Sequence, residues 1–271
     1  MNFDNRKTIN QEIDFTFHPS TTVNPQRLIA DQVQFYNDNG YLTGIRVFDE
    51  ERAGANREYF DGLLERVLAS GADNYSISGA HLKYGGIFDL VTDPKLLDVV
   101  EDILGPNIIA AGAHYFCKLP QDGKAVSWHQ DASYWAFSPA KALRAWLAID
   151  DVDTRNACMQ IVPGSHLHGH LPFRESDPSE NNLLDQTVED VEEYGNQPVD
   201  IELKAGEISI HSSLVLHGSR PNTSDRRRGG IAITYLPADV RGLSGSSQRG
   251  VICRGEDPDG HWANSPRPED A

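Results

Sequence analysis

Apolar residues at helical spacing dominate the first hundred positions of the chain. Ile29, Val33 and Tyr36 fall on one face of a stretch predicted to start at Asn24-Pro25 and to stop at Gly40. A second helix is predicted from about Asp49 to Ser70, with Phe60, Leu63, Leu64 and Val67 clustered for burial and Gly71 placed to cap it. A third opens at Asp93-Pro94, runs through Leu97, Val100 and Leu104, and ends at Gly105. From Asn107 the period changes. Short β-prone runs over 108–119, 143–149, 158–163, 199–203, 207–211 and 231–237 are separated by Gly, Pro and Asp clusters. Helices followed by many short strands imply a mainly β fold: a double-stranded β-helix (jelly roll, cupin-like) core with N-terminal flanking helices and a mouth for a small ligand.

Two segments depart from this pattern. Between Arg174 and Asp200 nine acids face one arginine, which reads as a solvated insertion between strands, with a short helix at Val188 to Tyr194 and the makings of a mobile lid. After Pro237 the turn formers of GLSGSSQRG, GEDPDG and NSPRPEDA suggest a loop-like tail that packs loosely or partly covers the mouth. The 271 residues are therefore expected to form one domain: a helical part over 1–105, a jelly-roll core over 106–237 with the acidic insertion 174–200, and a loop-rich tail over 238–271.

Composition narrows the function. A formal charge of -16 argues against broad attraction to nucleic acid or to an anionic membrane. Mean hydropathy of -0.47 and the lack of an apolar run of roughly 18 residues argue against a transmembrane span. The N-terminal sequence has no apolar leader core, and Cys117, Cys158 and Cys253 are too scattered for a disulfide framework, so a cytoplasmic location is expected.

One local motif carries chemistry: Trp128-His129-Gln130-Asp131. On extended backbone, residues two apart point to the same side, so the His129 imidazole and the Asp131 carboxylate can converge on one metal ion. Chance supplies about one His-x-Asp in a chain of this composition, so a third ligand is needed. His217 is the natural candidate, because it closes the strand-like stretch GEISIHSSLVLH beyond the insertion. Two histidines and a carboxylate form a facial triad suited to non-haem Fe(II), with positions left for a chelating cosubstrate and dioxygen. Eleven residues on, Arg228 opens the strand GGIAITY, where an inward guanidinium could bind a dicarboxylate's far end.

The region Gly105 to Tyr235 resembles the phytanoyl-CoA dioxygenase family of Fe(II)- and 2-oxoglutarate-dependent oxygenases. The resemblance lies in GPNIIA, the lysine of FCKLPQDGK, WHQDASYW, RAWLAIDDV, the run from Asn156 through Cys158 to PGSH, and LHGSRPNTSDRRRGG. It implies His129, Asp131 and His217 as iron ligands and Arg228 as partner of the distal 2-oxoglutarate carboxylate. It also implies Ser219 as a further contact to that carboxylate and Trp146 as a wall of the cosubstrate pocket, with Lys83 and His114 as additional cosubstrate contacts. The implied reaction couples decarboxylation of 2-oxoglutarate by dioxygen, giving succinate and carbon dioxide, to hydroxylation of an unactivated C–H bond of a small organic substrate. Desaturation or cyclisation by the same oxidant is the rival outcome, and a non-catalytic jelly-roll binding protein is the rival class.

Other residues admit bland readings. His211 suits a hydrogen-bonded core or rim histidine better than a ligand, and His166, His168 and His170 follow Pro163-Gly164 and suit a turn. Arg144 shares a strand face with Trp146, so it either meets an internal carboxylate or binds an anionic substrate. Tyr134 and Trp135 either flank the substrate or pack in the core.

Overall fold

A computed structural model describes residues 13–75, 77–243 and 248–269 of the chain. Four helices precede or interleave with the first strands: α1 Ala30–Asn39, α2 Glu50–Ala69, α3 Gly85–Val91 and α4 Pro94–Leu104. The strands in chain order are β1 Tyr41–Arg46, β2 Ile108–Lys118, β3 Val126–His129, β4 Phe137–Ser138, β5 Leu143–Ala148 and β6 Met159–Ile161. They continue with β7 Arg174–Glu175, β8 Gln186–Thr187, β9 Val199–Ile201, β10 Glu207–Ser212 and β11 His217–Ser219. The last are β12 Arg228–Pro237, β13 Arg241–Gly242, β14 Gln248–Arg254 and β15 Trp262–Asn264. A seven-stranded sheet in the order β1-β10-β5-β12-β2-β14-β15 faces a four-stranded sheet in the order β3-β11-β6-β9, and the two make the jelly roll.

Alternation along the large sheet divides the molecule. Leu143, Ala145 and Leu147 of β5 and Ile231, Ile233 and Tyr235 of β12 turn outward and bury against Phe60, Leu63 and Leu64 of α2 and Leu97 and Val100 of α4. The intervening residues Arg144, Trp146, Arg228, Gly230, Ala232 and Thr234 turn inward, toward the four-stranded sheet. In the register, Trp146 stands between Ser209 and Ala232, and Arg144 between His211 and Thr234.

Helices α2 and α4 form where the sequence places them, with Asp49 and Asp93 capping their first turns through Arg52 N and Lys95 N. The first helix does not start at Asn24-Pro25. The buried Asp102 carboxylate of α4 accepts hydrogen bonds from the amides of Gln26, Arg27 and Leu28 at 2.7–2.8 Å. Those amides are held in a bent segment, and α1 begins only after Ile29, whose amide donates to the Gln32 side chain. Gly40 does end the helix, with φ 82°, and a Cβ there would meet the His166 ring at 2.7 Å.

Three further expectations change. The N-terminal part is not wholly helical, because β1 pairs with β10 at the edge of the large sheet. Within the insertion, Val188 to Tyr194 holds only a 3-10 turn at Val191–Glu193, and β7 and β8 form a two-stranded ribbon that carries Leu184 to the candidate site. The tail is not loose: β14 pairs with β2, β15 pairs with β14, and Trp262 is buried with its indole N–H donating to the Val240 carbonyl. Its GLSGSSQRG turn falls partly outside the described residues.

Candidate metal centre and cosubstrate pocket

Strands β3 and β11 are antiparallel neighbours, and their register sets His129 opposite His217. Both imidazoles are buried, with ring centroids 4.1 Å apart. Nδ1 of His129 donates to the Ser127 carbonyl at 2.8 Å and Nδ1 of His217 to the Val215 carbonyl at 3.1 Å. A carbonyl only accepts, so each ring keeps its proton on Nδ1 and presents the Nε2 lone pair inward. Burial first, then the other imidazole, lowers His129 to about 3; burial and then His211 lower His217 to about 4, so both are neutral at physiological pH.

Asp131 reaches the same point because the backbone stays extended through Gln130 before turning into a 3-10 segment at Asp131–Tyr134. Gln130 fastens that bend. Its side-chain amide donates to the carbonyls of Gly169 and Leu214 at 2.8 and 2.6 Å, and its oxygen accepts from Leu171 N at 2.8 Å. Asp131 Oδ1 then lies 3.9 Å from His129 Nε2, and Oδ2 lies 3.9 Å from His217 Nε2. Among the described residues these three form the one cluster of metal-capable side chains, with donor atoms within 4.8 Å of one another. Burial pushes the Asp131 carboxyl up, but the Arg144 charge and its two hydrogen bonds, with the His211 imidazole close by, hold it well below the usual range.

Arg144 takes the first of its two alternatives, the internal carboxylate: it pairs with Asp131 through two hydrogen bonds of 2.9 and 2.8 Å and is not free for an anionic substrate. Trp135 stacks on that guanidinium at 4.7 Å, and Tyr134 is buried with its ring 6.0 Å from His129. His211 lies outside the cluster but beside it, buried, with Nε2 3.7 Å from Asp131 Oδ2. His166 is in a 3-10 turn and bonds the Asn37 carbonyl.

Behind the cluster the polar groups lack partners. Arg228 is buried with its guanidinium 4.7 Å from the Trp146 ring, its Nε has no hydrogen bond, and no carboxylate pairs with it among the described residues. Burial lowers its pKa to about 10. The buried Ser219 Oγ is also unpartnered. Trp146 lies flat over Gly230, where a Cβ would come within 2.0 Å of the indole. An unpaired buried cation and a free hydroxyl fit the carboxylate of a small dicarboxylic acid. The cleft between the metal cluster and these groups is lined by Phe116, Trp146, Met159 and, from the insertion, Leu184.

Two expected contacts fall elsewhere. Lys83 is exposed at the end of a 3-10 turn, with its ammonium on the Ser78 carbonyl, and takes no part in the pocket. His114 faces inward but packs its ring on Phe116 at 4.3 Å, and Phe116 is the residue that lines the site. Sequence reasoning noted Lys118 in FCKLPQDGK but gave it no role at the site. It is fully buried opposite Arg228 in the β2–β12 register, and its ammonium donates to the Arg220 carbonyl. Burial and the Arg228 charge lower its pKa to about 7. The signal was present in HYFCK, where period two puts a lysine on the same face as His114 and Phe116.

A donor set with open positions, set beside a buried cation in a jelly-roll core, defines the class: this is a non-haem iron- and 2-oxoglutarate-dependent oxygenase. Residues 36–230 match the profile of phytanoyl-CoA dioxygenase, and the chain belongs to that family. The peroxisomal phytanoyl-CoA dioxygenase of Bos taurus is 30% identical over 265 residues, 87% of this chain and 78% of the relative. A Stutzerimonas stutzeri protein named "probable alpha-ketoglutarate-dependent hypophosphite dioxygenase" is 26% identical over 246 residues, covering 82% and 84% of the two chains. Among solved structures, the non-heme monooxygenase ThoJ in its apo form superposes with a TM-score of 0.74 at 27% identity, covering 88% of each chain.

Proposed function

We propose that the chain, acting as a single catalytic domain, hydroxylates an unactivated C–H bond of a small organic metabolite. When bound, Fe(II) with 2-oxoglutarate and dioxygen supplies the oxidant: one oxygen atom goes to succinate as carbon dioxide leaves, and the other goes to the substrate as hydroxyl. His129, Asp131 and His217 hold the iron on one side. Arg228 and Ser219 bind the distal carboxylate of the cosubstrate, Trp146 walls its carbon chain, and the Lys118 charge adds to the attraction. Tyr134 and Trp135 stand at the edge of the metal cluster and shape the approach of the substrate. Three free thiols, two of them buried, support a reducing compartment such as the cytoplasm. Among the described residues no helix is long and apolar enough to cross a membrane.

The observation that carries this reading is the pairing of two neutral imidazoles, His129 and His217, and the convergent Asp131 carboxylate with the unpartnered Arg228 and Ser219 behind them. The relatives are named for substrates as different as an acyl thioester and hypophosphite. A metabolite screen for substrate-dependent succinate release therefore tests the function directly. A compound that raises succinate and gains one oxygen by mass supports hydroxylation, and one that loses two hydrogens instead replaces it with desaturation or cyclisation.

A further inference from the structure

The Arg144 guanidinium lies along one edge of the Asp131 carboxylate, with Nε 2.9 Å from Oδ2 and Nη2 2.8 Å from Oδ1. In this two-pronged geometry the N–H groups take the forward lone pairs of both oxygens, the pairs on the side away from the chain. A metal chelated by both oxygens of a carboxylate sits in that same forward position, so the two arrangements exclude each other. Only the outer lone pairs remain for a metal held by the imidazoles, whose Nε2 atoms lie 3.9 Å from Oδ1 in His129 and 3.9 Å from Oδ2 in His217.

The guanidinium is itself fixed. Its Nη1 donates to Thr234 Oγ1 at 2.7 Å, Thr234 stands opposite Arg144 in the β5–β12 register, and the Trp135 ring covers the planar face at 4.7 Å. From this geometry we infer that Arg144 is a positioning residue that restricts Asp131 to one-oxygen coordination. A chelating Asp131 would consume one of the positions that the cosubstrate and dioxygen need. Arg144 keeps that position available without touching either.

The inference rests on the proposed three-ligand site and is tested apart from turnover. Co(II) is titrated into the protein without oxygen, its visible absorption reports coordination number, and 2-oxoglutarate is then titrated into the Co(II) form. Arg144→Met is expected to bind Co(II) with an altered spectrum and to bind 2-oxoglutarate at least about tenfold more weakly, a change of about 1.4 kcal/mol. Arg144→Lys keeps the charge but loses the two-pronged grip, and is expected to resemble the Met variant. Thr234→Val releases only the Nη1 anchor and leaves no buried charge unpaired; it is expected to shift the spectrum in the same direction by less, and it decides the matter if the other variants do not fold. Wild-type spectra and affinity in Arg144→Met or Thr234→Val, or full restoration by Lys, would overturn the inference alone. Failure of wild type to bind Co(II), or binding unchanged in His217→Ala, would overturn the metal site and the inference together.

Discussion

Strands β5 and β12 turn one face to the helices and the other to the candidate metal centre, and the two faces obey different rules. On the outer face every large side chain is apolar or satisfied: Leu143, Leu147, Ile231 and Ile233 are fully buried, and the Tyr235 hydroxyl donates to the Val91 carbonyl at 2.8 Å. On the inner face, one residue along each strand, Arg144 is paired with Asp131 while Arg228 has no counter-charge among the described residues. The difference teaches where each residue's selection lies. The outer face lowers the free energy of the fold by removing apolar surface from water. The inner face leaves polar groups unsatisfied, which costs stability and leaves them available to a ligand.

The sharpest way to break this division is to remove a ligand. His217→Ala is expected to lower substrate-coupled succinate release more than about 100-fold, beyond the loss typical of groups that merely support a metal ligand, with little change in the melting of metal-free protein. Asp131→Ala is expected to abolish activity as well, but also to destabilise by about 3–5 kcal/mol, because it strands the buried Arg144 charge. Equal melting of the two variants would contradict the Arg144–Asp131 pairing.

Acid should act through the inner face. His129 and His217 are lowered to about 3 and about 4, and His114 to about 4, all chiefly by burial. The unfolded chain takes up these protons near pH 6.5. Between about pH 6.5 and 4 the unfolded state of the metal-free protein therefore holds more protons, and stability falls as pH falls, by up to about 1.4 kcal/mol per pH unit for each histidine. The outer-face residues of β2 and β12 add nothing in that window, since burial pushes Cys117 up to about 12 and raises Tyr115 and Tyr235 as well, whereas buried His81 beside the helices, lowered to about 4, adds to the loss. Urea unfolding at pH 7 and pH 5 measures the difference, and equal stabilities would contradict it.

Smaller effects sharpen the comparison. Ile233→Ala on the outer face is expected to cost about 2–5 kcal/mol of stability while activity per folded molecule is retained. Arg228→Met, one face over, is expected to weaken 2-oxoglutarate binding by about 1.5–3 kcal/mol, seen as a raised KM for the cosubstrate, with the melting temperature kept or raised. Gly230→Ala pushes on Trp146 and is expected to cost about 1–3 kcal/mol and to raise the same KM. An outer-face variant that raised KM without loss of stability would blur the two roles.

Much of this was legible before the structure, and the misses have physical causes. Helices α2 and α4 carry caps and apolar spacing in their own sequence, so Asp49 and Asp93 announce them. The start of α1 is set by Asp102, more than seventy residues away, and no local pattern reveals such a partner. Strands β14 and β15 are short and sit among turn formers; pairing with β2 makes them strands. At the site, His129, Asp131, His217 and Arg228 were legible from spacing and resemblance. Whether Arg144 met a carboxylate or a substrate required the fold, because Asp131 reaches it from a different sheet. Lys118 was passed over in favour of Lys83 although its alternation with Phe116 pointed inward.

The central claim is that His129, Asp131 and His217 hold one ferrous ion whose remaining positions accept 2-oxoglutarate. Anaerobic titration of Fe(II) and 2-oxoglutarate, followed by visible absorption, tests it most directly. The account predicts a weak metal-to-ligand charge-transfer band that saturates at one equivalent of iron in the wild type and is lost in His217→Ala. No band at any stoichiometry, or the same band in the variant, would contradict it.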